Sequence, residues 1–140
     1  MKSNPESPPL IVGDAHAVLW WLAFNTRLGK QAQSAMDKID SGNGILVIPA
    51  VALAEIMMVI EKGRLTIPVS VIRSGIQRWK RSQNIRLTDL TPEIVFNSRK
   101  LTAIPEIFDR LIVAEARMLK APLITIDATI TQSQLVKIIW

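Results

Sequence analysis

The feature that most constrains the fold is an alternation between short, continuous apolar runs and longer stretches with helical periodicity. The apolar runs are LIVG near the amino terminus, then ILVI, PLITI and VKII, with a weaker run, IRL, between ILVI and PLITI. Strands that face water on one side alternate apolar and polar residues, whereas strands covered by helices on both faces are apolar throughout. The pattern therefore predicts an α/β fold with a mostly parallel sheet of about four to five strands flanked by helices.

Segments with helical periodicity fill the intervals between the apolar runs. The clearest covers residues 50–62 and is followed by Gly63, which is expected to form the C-cap. Another opens at Thr91, a capping hydroxyl, with Pro92 in the first turn. Two further helices are predicted over residues 15–24 and 108–119. Two more are predicted from apolar stripes, one formed by Leu28, Ala32, Ala35, Met36 and Ile39 and the other by Val69, Ile72, Ile76 and Trp79.

Length and composition indicate a single domain. The chain has 140 residues, of which 49% are hydrophobic, and this excludes a disordered chain. Residues 1–9 carry three prolines and a glutamate, so we predict a loose tail there and one domain over residues 10–140. The tail lacks the apolar core of a signal peptide, and the longest apolar stretch, residues 45–60, is too short and too interrupted for a membrane span. We therefore expect a cytoplasmic protein.

Cysteine content and net charge narrow the function. The chain has no cysteine, which excludes a disulfide scaffold, a zinc ribbon and a thiol nucleophile. The formal net charge of +5 favours an anionic partner, most often nucleic acid, although such a charge also serves solubility. Four basic residues lie off the apolar stripe of one predicted helix and fit either RNA phosphates or a solvated face: Arg73, Arg78, Lys80 and Arg81.

Four carboxylates occupy positions that a parallel sheet would bring together. Asp14 directly follows the first strand, and Asp127 ends the run LITID. Asp109 lies near the start of one predicted helix, and Glu55 lies about one turn into another. In open α/β sheets the functional crevice lies beyond the carboxyl ends of the strands. The sequence therefore predicts that these acids gather at that edge.

Each carboxylate also has an ordinary structural explanation. Asp14 and Asp109 are compatible with helix N-caps, and Asp127 with the start of a turn. Glu55 is too deep in its helix to be a cap, and its neighbours are nearly all apolar. A buried carboxylate is costly unless it is paired or bound to a metal. The competing explanation for Glu55 is therefore an ion pair, for example with Arg110.

Taken together, the four acids favour a metal site. Carboxylates in a small volume repel one another unless a cation joins them. Oxygen ligands without His or Cys suit a hard ion such as Mg²⁺ or Mn²⁺. Phosphodiester cleavage requires an acidic metal site on a basic protein, because the metal activates water while basic residues hold the polynucleotide.

The aromatic residues after Asp14 have structural explanations. His16 is the only histidine, so it cannot form a His-rich metal site, and we expect it to pack or hydrogen-bond near the helix start. Trp20 and Trp21 lie on an apolar helix, which favours core or dimer contacts over base stacking.

An ordered set of motifs runs along nearly the whole chain after the tail: DAHAVLWWL, AEIMMVIEKGRL, LTPE, FDRLIVAEA, PLITID and the final IIW. In this order and spacing they resemble the PIN-domain family, and within it the VapC-like toxins. The resemblance implies a three-layer PIN-like fold and an Mg²⁺- or Mn²⁺-dependent endoribonuclease. It also implies a homodimer that is neutralised by a small VapB-like antitoxin, the second member of a toxin–antitoxin pair.

Carried over by position, the resemblance implies that Asp14, Glu55, Asp109 and Asp127 form the catalytic, metal-binding site. Thr125 matches the hydroxyl residue that precedes the fourth acid of the family by two positions. Arg110, next to the third acid, would orient Asp109 or contact phosphate.

Three departures from the family pattern leave an alternative open. Ala15 stands where the family usually has threonine, residues 104–107 (IPEI) replace His-x-Asp-Pro, and Glu115 replaces a common glutamine. The first two motivate the alternative of a catalytically weak PIN-like module that binds RNA or an antitoxin. A metal-dependent phosphatase is a third hypothesis, disfavoured because the sequence lacks a close Asp-x-Asp pair.

Overall fold

Five parallel strands form the centre of the described structure, a computed structural model that covers residues 7–23, 26–64 and 66–140. The strands are β1 (Leu10–Gly13), β2 (Ile45–Pro49), β3 (Ile85–Thr88), β4 (Leu123–Ile124) and β5 (Ile138–Ile139). They lie in the order β3-β2-β1-β4-β5, and each neighbouring pair is parallel. The predicted α/β fold with a parallel sheet is confirmed.

Helices connect the strands and flank the sheet. They are α1 (Ala15–Leu22), α2 (Lys30–Asp40), α3 (Ala50–Glu61), α4 (Val69–Arg81), α5 (Pro92–Ser98), α6 (Ile107–Met118) and α7 (Ala128–Ser133). Helix α3 packs against both α1 and α6, α2 lies against β2 and β5, and α4 lies against β3. Within the described ranges, no helix has the length and apolarity needed to cross a membrane.

Burial explains why the central strands are the clearest in the sequence. All five residues of β2 are buried, as are the last three of β1, whereas the edge strands β3 and β5 are only partly covered. Val12, Leu46 and Leu123 have no exposed surface. Burial of each such side chain contributes about 1.5–3 kcal/mol, so an uninterrupted apolar run marks a strand covered on both faces.

Two predicted helix ends are confirmed by their hydrogen bonds. Gly63 has φ +68°, and its N–H donates to the Ile60 carbonyl at 3.0 Å. The Arg64 N–H donates to the Val59 carbonyl at 3.2 Å, so the chain leaves α3 through a left-handed glycine turn. The Thr91 hydroxyl accepts the Ile94 N–H at 3.2 Å and caps α5.

Other predicted boundaries differ from the structure. Helix α1 ends at Leu22, and residues 24–25 lie outside the described part of the chain. In PLITI only Leu123 and Ile124 are in the strand, because the chain then turns into α7, a short helix that was not predicted. Residues 1–6 of the predicted tail also lie outside the described residues. Pro9 already joins the sheet, since its carbonyl accepts the Ile45 N–H at 2.9 Å.

Candidate metal centre

Asp14 lies at the junction between β1 and α1, where two hydrogen bonds fix its carboxylate. The Ala15 N–H donates to Oδ1 at 2.8 Å, which makes Asp14 the N-cap of α1. The Thr125 hydroxyl donates to Oδ2 at 2.6 Å, and the side chain is only 5% exposed. Asp14 is therefore both the predicted cap and a carboxylate held at the carboxyl edge of the sheet.

Asp127 occupies the equivalent position after β4. Its Oδ1 accepts the Ile130 N–H at 2.8 Å, so it is the N-cap of α7. The Asp127 N–H in turn donates to the Thr125 hydroxyl oxygen at 3.0 Å. Thr125, which the resemblance matched to a hydroxyl residue of the family, is buried and links the two aspartates.

Helices α3 and α6 bring two more carboxylates to the same place. Glu55 lies in the second turn of α3, and Asp109 lies in the first turn of α6. One oxygen each of Asp14, Glu55 and Asp109 can be chosen so that all three lie within 4.8 Å of one another. The structure therefore brings together three of the four predicted acids closely enough to share one cation, and Asp127 lines the same cavity.

Glu55 carries an unsatisfied polar atom. Its Oε1 is buried and has no hydrogen-bond partner within the described residues. The ion pair considered with Arg110 is not formed there, because the Arg110 Nε–H donates to the backbone carbonyl of Ile104 instead. A buried, unpaired carboxylate oxygen costs about 1–3 kcal/mol or more, so Glu55 requires a ligand to be stable in its charged form.

The cluster is electrostatically unfavourable without a cation. Burial, and then the charges of Asp14, Asp109, Glu106 and Asp127, raise the pKa of Glu55 to about 8. Burial and the neighbouring carboxylates Asp14, Asp127 and Glu106 raise the pKa of Asp109 to about 7. Burial also raises the pKa of Asp14, against the opposing effect of its hydrogen bonds. In each case burial is the largest cause, and it disfavours the charged form of the carboxyl group.

Glu106 is a site residue that the sequence reasoning missed. Its two carboxylate oxygens accept the N–H groups of Phe108 (3.2 Å) and Asp109 (3.1 Å). Glu106, and not Asp109, is therefore the N-cap of α6, which corrects the cap considered for Asp109. The helix begins at Ile107, soon after Pro105, and this places Asp109 inside the first turn. Pro105 was the available signal, because proline commonly precedes a helix start.

The acids line a cavity of about 490 Å³. The other residues that line it are His16, Trp20, Met58, Val59, Lys62, Arg64, Phe108 and Ile126. Lys62 and Arg64 were not predicted as site residues. Their signal was present in the motif EKGRL, where the basic residues flank the glycine that ends α3.

The basic residues predicted on α4 lie elsewhere. Within the part of the chain that the structure describes, none of Arg73, Arg78, Lys80 and Arg81 lines the acidic cavity. The last three end α4 just before β3 begins, at the amino edge of the sheet, and Arg78 lines a smaller cavity with Asp40 and Ile85. A role for the four residues in RNA binding stays a prediction, and Arg78, Lys80 and Arg81 lie at the opposite edge of the sheet from the acids.

Aromatic packing accounts for the residues after Asp14. The rings of His16 and Trp20 meet edge to face at 5.6 Å, and Trp20 meets Trp140 in the same way at 5.7 Å. Trp20 is 9% exposed, so its ring is committed to packing, as the sequence predicted. Trp21 is partly buried and packs against the core.

The residues present fit a hard divalent cation. The donors are carboxylate oxygens from three separate elements, they lie close enough to share an ion, and one of them is orphaned. Fold and site together define an α/β domain with a cluster of carboxylates, close enough to hold a cation, at the carboxyl edge of a parallel sheet.

The family model described as PIN domain matches residues 11–133, and the chain belongs to this family. No curated protein matches the chain.

Several solved structures share the fold at low sequence identity. One is VapBC2 from Rickettsia felis bound to a DNA fragment from its promoter, with TM-score 0.66, 13% identity, and 92% of this chain and 96% of that chain covered. The Mycobacterium tuberculosis VapC20, described as a sarcin-ricin loop cleaving toxin, has TM-score 0.63, 12% identity, and coverage of 93% and 99%. A toxin–antitoxin complex from Klebsiella pneumoniae has TM-score 0.57, 16% identity, and coverage of 84% and 86%.

Proposed function

We propose that this chain is a metal-dependent endoribonuclease, a VapC-like toxin that a small VapB-like antitoxin neutralises. The observation that carries the proposal is the orphaned Glu55 oxygen among carboxylates that repel one another. A structural role would have supplied Glu55 with a partner. A metal-binding role explains why the described residues provide none.

In this proposal Asp14, Glu55 and Asp109 hold Mg²⁺ or Mn²⁺, with Asp127 contributing at the edge of the cluster. A bound divalent cation would supply positive charge that offsets the negative charge of a phosphodiester. The same charge would lower the pKa of water, so that water loses a proton more easily and becomes a better nucleophile. The chain's own groups orient the ligands. Thr125 fixes Asp14 and the Asp127 backbone, and Glu106 fixes the first turn of α6 and thereby Asp109.

RNA is the proposed substrate, and three observations support it. The chain has a formal net charge of +5, its acids line a cavity together with the basic residues Lys62 and Arg64, and VapC20, which shares the fold, is described as a sarcin-ricin loop cleaving toxin. The likeness to VapBC2 and to the Klebsiella complex supports an antitoxin partner. We further propose a homodimer acting in the cytoplasm, where RNA and antitoxin are present.

Replacement of Asp109 tests the proposal. Asp109→Asn keeps the size of the side chain but removes a negative ligand, so we expect cleavage of single-stranded RNA in Mn²⁺ to fall on the order of 100-fold or more. The matched control is Asp37→Asn, the same change on the exposed side of α2, which should cleave like the unmodified protein. Circular dichroism checks that both variants fold.

Two outcomes would contradict the proposal. Unchanged cleavage by the Asp109→Asn variant would show that the acidic cluster takes no part in the cleavage reaction. RNA that is bound in EDTA but not cleaved by the unmodified protein in Mn²⁺ favours the alternative of a weakly catalytic binding module. Ala15 motivates that alternative, because the family usually has a threonine hydroxyl at the residue after the first acid and Ala15 has none. In this structure the hydroxyl that is bonded to Asp14 belongs to Thr125.

A further inference from the structure

One face of α3 extends from the acidic cluster toward two basic residues, Lys62 and Arg64. Glu55, Met58, Val59 and Lys62 are spaced three, four and seven residues apart, so they share a helix face, and all of them line the cavity. At the helical rise, Glu55 and Lys62 are about 10 Å apart along the helix axis. The left-handed turn at Gly63 then brings Arg64 to the wall of the same cavity.

Lys62 and Arg64 are not engaged with other groups. Both are exposed, and neither side chain makes a hydrogen bond or an ion pair with another residue in the ranges the structure describes. Both side chains are therefore available to bind an anionic group in the cavity that they line together with the acids.

We infer that Lys62 and Arg64 bind an RNA phosphate next to the one that is cleaved, an inference that rests on the proposed function. A polynucleotide presents phosphates at regular intervals, so a site that places one phosphate at the carboxylates must accommodate the next. Lys62 supplies a compact charge and Arg64 a planar fork that can bind two phosphate oxygens. The cavity then recognises a chain of nucleotides rather than an isolated phosphodiester.

Binding to a labelled single-stranded oligoribonucleotide tests the inference. The Asp109→Asn protein serves as background, in Mg²⁺, at salt concentrations between about 50 and 200 mM. Adding Lys62→Ala and Arg64→Ala should weaken binding roughly 10- to 100-fold at the low-salt end. It should also make the dependence of log affinity on log salt shallower by about 0.7 for each phosphate that the variant no longer neutralises. Lys62→Arg should retain most of the affinity.

A control pair removes the same charge elsewhere. Lys38→Ala with Arg86→Ala changes exposed residues that do not line the cavity, and we expect an effect within about threefold. The inference is overturned if the Lys62 and Arg64 changes leave affinity and salt slope intact, or if the Lys38 and Arg86 changes lower them equally.

The same measurements separate this inference from the proposed function. RNA that is bound through Lys62 and Arg64 but never cleaved by the unmodified protein contradicts the nuclease proposal alone. Cleavage that is unaffected by the two changes contradicts the phosphate-binding role alone. A protein that binds no RNA in any buffer contradicts both.

Discussion

Glu55 and Glu115 are two carboxylates inside helices, and burial raises the pKa of both. Glu115 of α6 accepts a hydrogen bond from the Thr88 hydroxyl at the end of β3. Glu55 of α3 has an oxygen without a partner in the described chain, and it lies close to Asp14 and Asp109. The difference separates a carboxylate that joins two structural elements from one that the described part of the fold leaves without such a partner.

Replacing each glutamate by glutamine gives the largest expected contrast. Glu55→Gln removes a metal ligand, so RNA cleavage in Mn²⁺ should fall on the order of 100- to 1000-fold. Glu115→Gln keeps an oxygen that accepts the Thr88 hydrogen bond, so cleavage should stay within about threefold of the unmodified protein. Initial rates on one RNA substrate measure both. Equal losses of cleavage activity in the two variants would show that Glu55 and Glu115 do not differ in their roles.

The two threonine hydroxyls that support carboxylates provide a second, smaller contrast. Thr88→Val deletes one hydroxyl–carboxylate bond and should lower the free energy of unfolding by about 1 kcal/mol. Thr125→Val deletes the bond to Asp14 and also the acceptor of the Asp127 N–H, so its loss should be about 2 kcal/mol. Only Thr125 holds a member of the acidic cluster, and therefore only Thr125→Val should also slow cleavage, by roughly 10- to 100-fold. Urea unfolding and RNA cleavage are the two measurements. A Thr88→Val variant that loses as much activity would contradict this account.

The pH dependence of stability gives the smallest expected effect. Folding raises the pKa of Glu55 to about 8 and that of Asp109 to about 7. At pH values between the ordinary and the raised pKa of each group, the folded, metal-free protein therefore holds a proton that the unfolded chain has released. This stabilisation is complete below the unfolded pKa values and is lost as pH rises through 7 to 8. In EDTA, Tm should therefore fall on the order of 5 °C between pH 5 and pH 9.

The Glu55→Gln variant sharpens that measurement. It removes the group with the higher of the two values, so its Tm should fall less with pH, and saturating Mg²⁺ should flatten the curve of the unmodified protein. A Tm in EDTA that is constant or rises between pH 5 and 9 would show that folding does not raise the pKa values of Glu55 and Asp109 as described.

Much of the fold was predictable because burial acts on whole segments. The runs LIVG and ILVI became central strands, since covering both faces demands apolar residues at every position. Gly63 and Thr91 were predictable because each carries a local requirement, a positive φ and a capping oxygen respectively. The short helix α7 was missed, because ATITQS has no apolar stripe and its start depends on the Asp127 cap.

The candidate site was predictable only in part. Topology places Asp14 and Asp127 at one edge of any parallel sheet, so their proximity followed from chain order. Glu106 was missed because its hydrogen bond with the Asp109 N–H depends on where α6 begins. Lys62 and Arg64 were missed because the turn at Gly63, although predictable, does not by itself indicate that both basic side chains line the cavity. Such details depend on dihedral angles at single residues, which composition and periodicity do not specify.

The order of the strands also determines when the centre exists during synthesis. β4 pairs with β1 near the middle of the sheet but is made late, and Thr125 and Asp127 follow it directly. A nascent chain that reaches only α6 contains Asp14, Glu55 and Asp109 but lacks the hydroxyl that fixes Asp14. Because synthesis proceeds from the amino terminus, the centre is completed only when β4 joins β1. Translation itself therefore delays any activity until the domain is almost fully made.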